Sequence, residues 1–442
     1  PDSAGRVQRL QRSTIVHHLM PSLITSTDGA PGITRSDRIR MLARGELDRL
    51  VPALLAHARA HRRWRARQQT EAAINAYVLQ CMGTRGGLQQ AARFLQPKTV
   101  AIPDDDCFAA MQSKHPPAAP GEQLHELSGM VDQLVAKAAD MPAELSLLQG
   151  EGIEPETVAK LIQRASPYSG AGPSGLRYSH LQDALRTSWG RHEFAAVLTR
   201  WLQTVMREAA RLPDAFWQLH GAGRLTPLAE QQEDGTAKQR PIVCGEVLQR
   251  LCTSVYVADR KDFLAELLEP DGQYGVAVSA GAEKAAMAGK LAYELGHWQF
   301  MLDLKNAFNM VFVLAAAEWV AAQLPDFLDY FIGTYVRTRP RLLFQHVDGS
   351  TRVIMSQRGF KQGDPAAPML FCGAIAQCLK RFNEAAAAQR ARRRMGAYMD
   401  DANVRTGACT LTQDDIQAVA QLKQHFAEVG LELNLTKSRA LP

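Results

Sequence analysis

The stretch GAYMDDANVR (396–405) sets Asp400 and Asp401 side by side between short apolar, β-prone runs. Adjacent carboxylates repel one another, and a strand gains nothing from carrying them. RMGAYM and ANVRT read as two strands, so the pair falls in the turn of a hairpin. Such a turn pushes its central side chains past the sheet edge. A third carboxylate, Asp303, ends the apolar run WQFML and can lie on the neighbouring strand. Three carboxylates at adjoining strand ends form an open, oxygen-rich site suited to Mg²⁺, which keeps waters and takes its remaining ligands from substrate phosphates. Two such ions roughly 3.5–4 Å apart activate an attacking hydroxyl and stabilise the leaving oxygen in phosphoryl transfer. Alone, the four residues YMDD fit an ordinary hairpin turn equally well.

The rest of the chain bounds the possibilities. Its 442 residues, 46% hydrophobic and 22% charged, suit a globular protein of two or three domains. The longest apolar run, Val311 to Leu324, contains Glu318 and is shorter than the roughly 20 residues of a bilayer span, so no membrane partner is expected. The net charge of +6 is unevenly spread: residues 35–70 hold ten Arg against three acids. That surplus suits a polyanion such as nucleic acid, or an Arg-rich solvated helix. The seven cysteines form no CxxC pair, so neither disulfides nor a zinc site is expected. The Arg-containing, acid-poor start of the chain reads as a transit-peptide remnant or a frayed terminus.

Residues 35–95 read as helices, and 97–122 as a Pro-broken linker whose Asp104-Asp105-Asp106 is simply solvated. Helical patterns return at 123–165, 191–211 and 245–268. Asp348-Gly349 between RLLFQHV and RVIMS predicts a hairpin. A long helix follows Pro365, and Thr412 with Asp415 opens another that Gly430 ends.

Four further stretches give the hairpin its company. LDLKNAFNMV (302–311), GFKQGDPAAPMLF (359–371), AYMDD (397–401) and GLELNLTKS (430–438) resemble, in order and spacing, motifs A to D of a reverse transcriptase. RLTPL with RPIVCGEVLQRL (224–251) resembles the fingers motif upstream. GPSGLRYSHL (172–181), QYGVAVSAGAEKAA (273–286) and NAFN resemble non-LTR retrotransposon enzymes, in particular the site-specific group that includes the spliced-leader retroposons. The likeness runs over roughly residues 80–440.

The resemblance implies an α+β right-hand polymerase fold. It predicts a basic helical extension over 1–122, fingers with the start of the palm over 123–295, and a palm over 296–442 that ends before a thumb. It implies Asp303 and Asp400 as principal metal ligands, Asp401 as the supporting acid, and the Leu304 carbonyl as a further ligand, all for Mg²⁺. Phe308 falls at the steric gate against ribonucleotides. Gln362 and Gly363 line the nucleotide pocket, Arg240 contacts the triphosphate, and Lys437 is the motif D proton donor. Where such fingers carry a lysine this chain has Glu230, and Lys238 on the other arm of the turn is the expected substitute.

Two functions follow. One is an RNA-directed DNA polymerase acting on an RNA template and a DNA primer. The other is a domesticated, catalytically silent relative that binds structural RNA within a ribonucleoprotein. The first belongs to the nucleus; the second, with a cleaved N-terminal address, to the mitochondrion. RNA contact is expected from Arg59, Arg62, Arg63 and Arg67 on one helix face, and from Arg390, Arg392, Arg393 and Arg394 ahead of the acidic hairpin.

Overall fold

Every strand must find partners for its backbone groups, and here the two hairpins with central turns set the pairing. The computed structural model describes residues 99–139, 153–186, 190–231 and 237–442, with positions 37, 41, 44, 46, 49 and 50. Arg59, Arg62, Arg63 and Arg67 lie outside these residues. The described chain is an α+β fold. Its helices of seven residues or more are α1 (Asp105–Ser113), α2 (Leu124–Ala139), α3 (Pro155–Arg164), α4 (Tyr178–Leu185), α5 (Ala195–Arg207) and α6 (Asp214–His220). They continue with α7 (Val247–Asp259), α8 (Lys261–Leu268), α9 (Gly281–Glu294), α10 (Val313–Gln323), α11 (Ala367–Ala388) and α12 (Gln413–Glu428).

One sheet is centred on β2 (Gly223–Gln231). Along one edge β2 pairs over its whole length with β3 (Ala237–Gly245). Its other edge is shared by β1 (Thr99–Val100) and, in parallel, by the hairpin of β5 (Arg341–Gln345) and β6 (Thr351–Met355). Asp348-Gly349 closes that hairpin as expected, with Gly349 at φ +85°, a conformation glycine adopts without steric cost. The second sheet is antiparallel, in the order β7 (Arg394–Tyr398), β8 (Asp401–Arg405), β4 (Gln299–Leu302) and β9 (Arg439–Leu441). Its inward residues, among them Leu302, Met395, Ala397, Ala402 and Val404, are buried against a helical core that includes α10 and α11. Gly373 of α11 lets Trp319 of α10 approach; a Cβ there would lie 2.2 Å from the indole.

The segment expected as a linker is partly helical. Asp104 caps α1, its carboxylate accepting from the Cys107 N–H at 2.9 Å. Asp105 and Asp106 occupy the first turn, where the helix dipole favours negative charge. The run of acids thus starts a helix, and that helix buries Cys107 and Met111 under the first sheet with Leu225, Val243 and Phe344. The predicted capping box at Thr412 and Asp415 is present. Cys107, Cys244, Cys252, Cys372, Cys378 and Cys409 are all free thiols. Among the described residues, no helix is long and apolar enough to cross a membrane.

Candidate active site

The acids are gathered by strand register. Strand β4 pairs with β8 through Phe300↔Val404 and Leu302↔Ala402. One step further, Asp303 falls opposite Asp401. Leu302 and Ala402 point into the core, so by strand alternation Asp303 and Asp401 share the outer face. Tyr398 pairs with Asp401 across the β7–β8 hairpin, leaving Met399 and Asp400 as a two-residue turn. Met399 takes φ +56°, the conformation a two-residue hairpin turn requires at its first central position.

The GLELNLTKS stretch backs this strand end. Asn434 Nδ2 donates to the Asp303 carboxylate at 2.7 Å, and Ser438 Oγ accepts from the Asp303 N–H at 3.1 Å. The Asn434 N–H donates to the Asp303 carbonyl, and the Lys305 N–H to the Glu432 carbonyl. These two bonds bracket the bridge between Leu304 and Leu433, so the Leu304 carbonyl points away from that segment. Lys437 is exposed one turn beyond Asn434. Asn434 and Ser438 are site residues that the sequence did not single out; only their place in the motif D stretch marked them.

Burial raises the pKa of Asp400; its own backbone N–H opposes that, while Asp401 and Asp303 raise it further and Arg240 pulls it down. The neighbouring carboxylates therefore disfavour the charge on Asp400, which a cation would restore. Among the described residues, no group of three or more His, Cys, Asp or Glu side chains is placed to hold a metal ion.

Arg240 acts electrostatically on Asp400, and further cations lie near it. Glu230 and Lys238 are cross-strand partners on β2 and β3, and Arg240 lies two residues along the same face. Arg240 Nε bonds the Glu230 carboxylate at 2.5 Å, with both side chains about half-exposed. A third cation comes from a place the sequence reading passed over. Lys114 follows α1, and its carbonyl accepts from Asn306 Nδ2 at 2.8 Å, tying this segment to the turn after Asp303. Its ammonium is half-buried; burial lowers its pKa, and the nearby charges of Lys238 and Arg240 lower it further. Lys114 thus feels Lys238 and Arg240, with the Glu230 carboxylate paired to Arg240 among them.

The GFKQGDP loop closes the third side. Gly359 and Phe360 donate their N–H groups to the carbonyls of Val311 and Phe308, and a Cβ on Gly359 would lie 2.1 Å from the Phe308 carbonyl. The half-buried Phe308 ring stacks on Phe371 at 4.7 Å. Val243 of β3 donates to the Gln362 carbonyl at 2.8 Å. Gly363, at φ +126°, approaches protein: a Cβ there would meet the Val243 carbonyl at 2.3 Å. Beneath them Asp364 is buried, accepting from Gln249 at 2.8 Å and from the Tyr335 hydroxyl at 2.5 Å. Lys361 is buried beside it and donates to the Gly221 carbonyl.

The second arginine cluster divides. Arg390, Arg392 and Arg394 are exposed. Arg393 is corrected: it is buried, bonded to Gln389 and paired with Asp415 at 3.5 Å. It braces the start of α12 and has no face for nucleic acid.

No curated protein matches the chain in sequence. Among 325 matching chains of solved structures is apo telomerase from Candida tropicalis, truncated from its C-terminal domain. It is 9% identical over 50% of this chain and 50% of its own, with a TM-score of 0.38. Residues 231–442, which carry all three acids, β3, the GFKQGDP loop and the Asn434 segment, match the family model of the reverse transcriptases (RNA-dependent DNA polymerases), and the α+β fold observed is the polymerase fold that likeness implies.

Proposed function

We propose that this chain is the RNA-directed DNA polymerase of a non-LTR retroelement of the site-specific, spliced-leader type. It extends a DNA primer on an RNA template by two-metal nucleotidyl transfer. The observation that supports this reading is that the β4–β8 ladder ends beside Asp303 and Asp401, with Asp400 in the adjoining turn and felt by both carboxylates. Asp303, Asp400 and the Leu304 carbonyl would hold the ions, with Asp401 supporting them. Bound divalent cations lower the pKa of the attacking 3′-hydroxyl and offset charge on the leaving oxygen.

The remaining steps fall to the chain. Lys114, Lys238 and Arg240 receive the triphosphate, whose charge draws Arg240 away from Glu230. An exposed ion pair is worth only about 0–1 kcal/mol, so the exchange is easily reversed. Phe308, whose ring stacks on Phe371, acts as the steric gate against a ribose 2′-hydroxyl. Gln362 and Gly363 line the pocket on the β3 side. Lys437 gives its proton to the departing pyrophosphate. Arg390, Arg392 and Arg394 meet nucleic-acid phosphates, which makes affinity fall steeply with salt.

A second reading, an RNA-binding protein without catalysis, is favoured by the Glu230–Arg240 pair, which occupies the triphosphate arginine. Primer extension separates the two. The protein is given an annealed RNA template, a DNA primer, Mg²⁺ and either dNTPs or rNTPs. Extension with dNTPs and not rNTPs is expected, with rNTP use appearing in Phe308→Ala. Tight, salt-sensitive RNA binding without extension would instead establish the silent reading.

A further inference from the structure

Met399 holds a left-handed conformation that glycine, asparagine or aspartate occupies with least strain, so its surroundings must hold it there. They do so through one side chain. Gln273 is 0% exposed. Its Oε1 accepts from the Met399 N–H at 3.0 Å and from the Gly275 N–H at 2.9 Å, and its Nε2 donates to the Met399 carbonyl at 3.3 Å. One amide thus grips the residue on both its peptide sides. The backbone around it is locked to the same strand: Tyr274 N–H bonds the Ala397 carbonyl, and Ala397 N–H the Gly272 carbonyl, each at 2.8 Å. A Cβ on Gly275 would lie 2.4 Å from the Met399 nitrogen, so the segment rests directly against the turn.

We propose that Gln273 is a positioning residue for the acidic turn: its amide fixes the Met399 conformation, which aims Asp400 toward Asp303. The inference rests on the polymerase reading for its kinetic consequence, and not for its structural one. Gln273→Met keeps size and burial and removes all three bonds. Turnover falls about ten- to a hundred-fold, because small misplacements of reacting groups carry such factors, while the nucleotide KM stays within about two-fold. The Met399 amide, read by hydrogen exchange, opens at least about ten-fold faster.

The deciding comparison adds Met399→Gly, since glycine takes the left-handed conformation unaided. In that background Gln273→Met is expected to cost less than about three-fold in turnover. An equal loss in both backgrounds, or unchanged Met399 exchange in Gln273→Met, overturns the proposal. Gln273→Leu, which likewise removes all three bonds, is expected to speed Met399 exchange at least about ten-fold and serves if Gln273→Met does not fold. If the wild-type protein extends no primer, the polymerase reading fails; the exchange measurement still decides the clamp.

Discussion

The β7–β8 turn and the β2–β3 strands bring opposite charges to one site, and they are held in opposite ways. The acidic turn ends in β8, which is ladder-bonded to β4, and it is gripped from behind by a buried Gln273, while Asn434 bonds Asp303. The cationic side carries Lys238 and Arg240 on the outer face of a hairpin, with Arg240 57% exposed and bonded to a half-exposed Glu230. One half of the site is preset, and the other is adjustable. Changes in the first should therefore remove turnover, and changes in the second should tune nucleotide affinity.

The contrast can be broken by mutation, the largest effect first. Asp303→Asn removes charge from the preset half, and single-nucleotide incorporation should fall about a thousand-fold, roughly 4 kcal/mol of transition-state stabilisation. A loss below ten-fold would detach Asp303 from the chemistry. Gly363→Ala forces a Cβ onto the Val243 carbonyl at a backbone angle reserved for glycine. A loss of about 2–3 kcal/mol in urea unfolding is expected, and an unchanged midpoint would contradict the packing of this loop on β3. Lys114→Ala should raise the nucleotide KM about five- to twenty-fold at nearly constant turnover, as for one lost charge-assisted contact. Equal falls in turnover would move Lys114 out of the triphosphate site. Glu230→Ala should lower that KM about two- to five-fold, more at low salt, because it frees Arg240 from a weak exposed pair. No change would mean that Glu230 does not compete with the nucleotide.

Much of the preset half could be read in the sequence. Adjacent aspartates between alternating strands, Asp-Gly between two β runs and Thr412 with Asp415 are local signals, and each gave the element it implied. What escaped depends on distant partners. Asp104 to Asp106 looked like solvated acids because prolines flank them, while the cap on Cys107 and the burial of Met111 belong to the folded state. Lys114 was invisible as a candidate because its company, Lys238 and Arg240 on β3 and Asn306 after β4, comes from two other places in the chain. Asn434 and Gln273 are neutral amides whose meaning lies wholly in what they bond. Arg393 looked like its neighbours, and only the packing against Asp415 sets it apart.

The central claim is that Asp400, placed by the hairpin, carries metal-dependent nucleotide transfer. The most direct test is primer extension on an RNA template with dNTPs and Mg²⁺, wild type beside Asp400→Asn, at matched RNA affinity and thermal stability. Extension by the wild type and its loss in Asp400→Asn is the result expected. Equal extension by both proteins would contradict it.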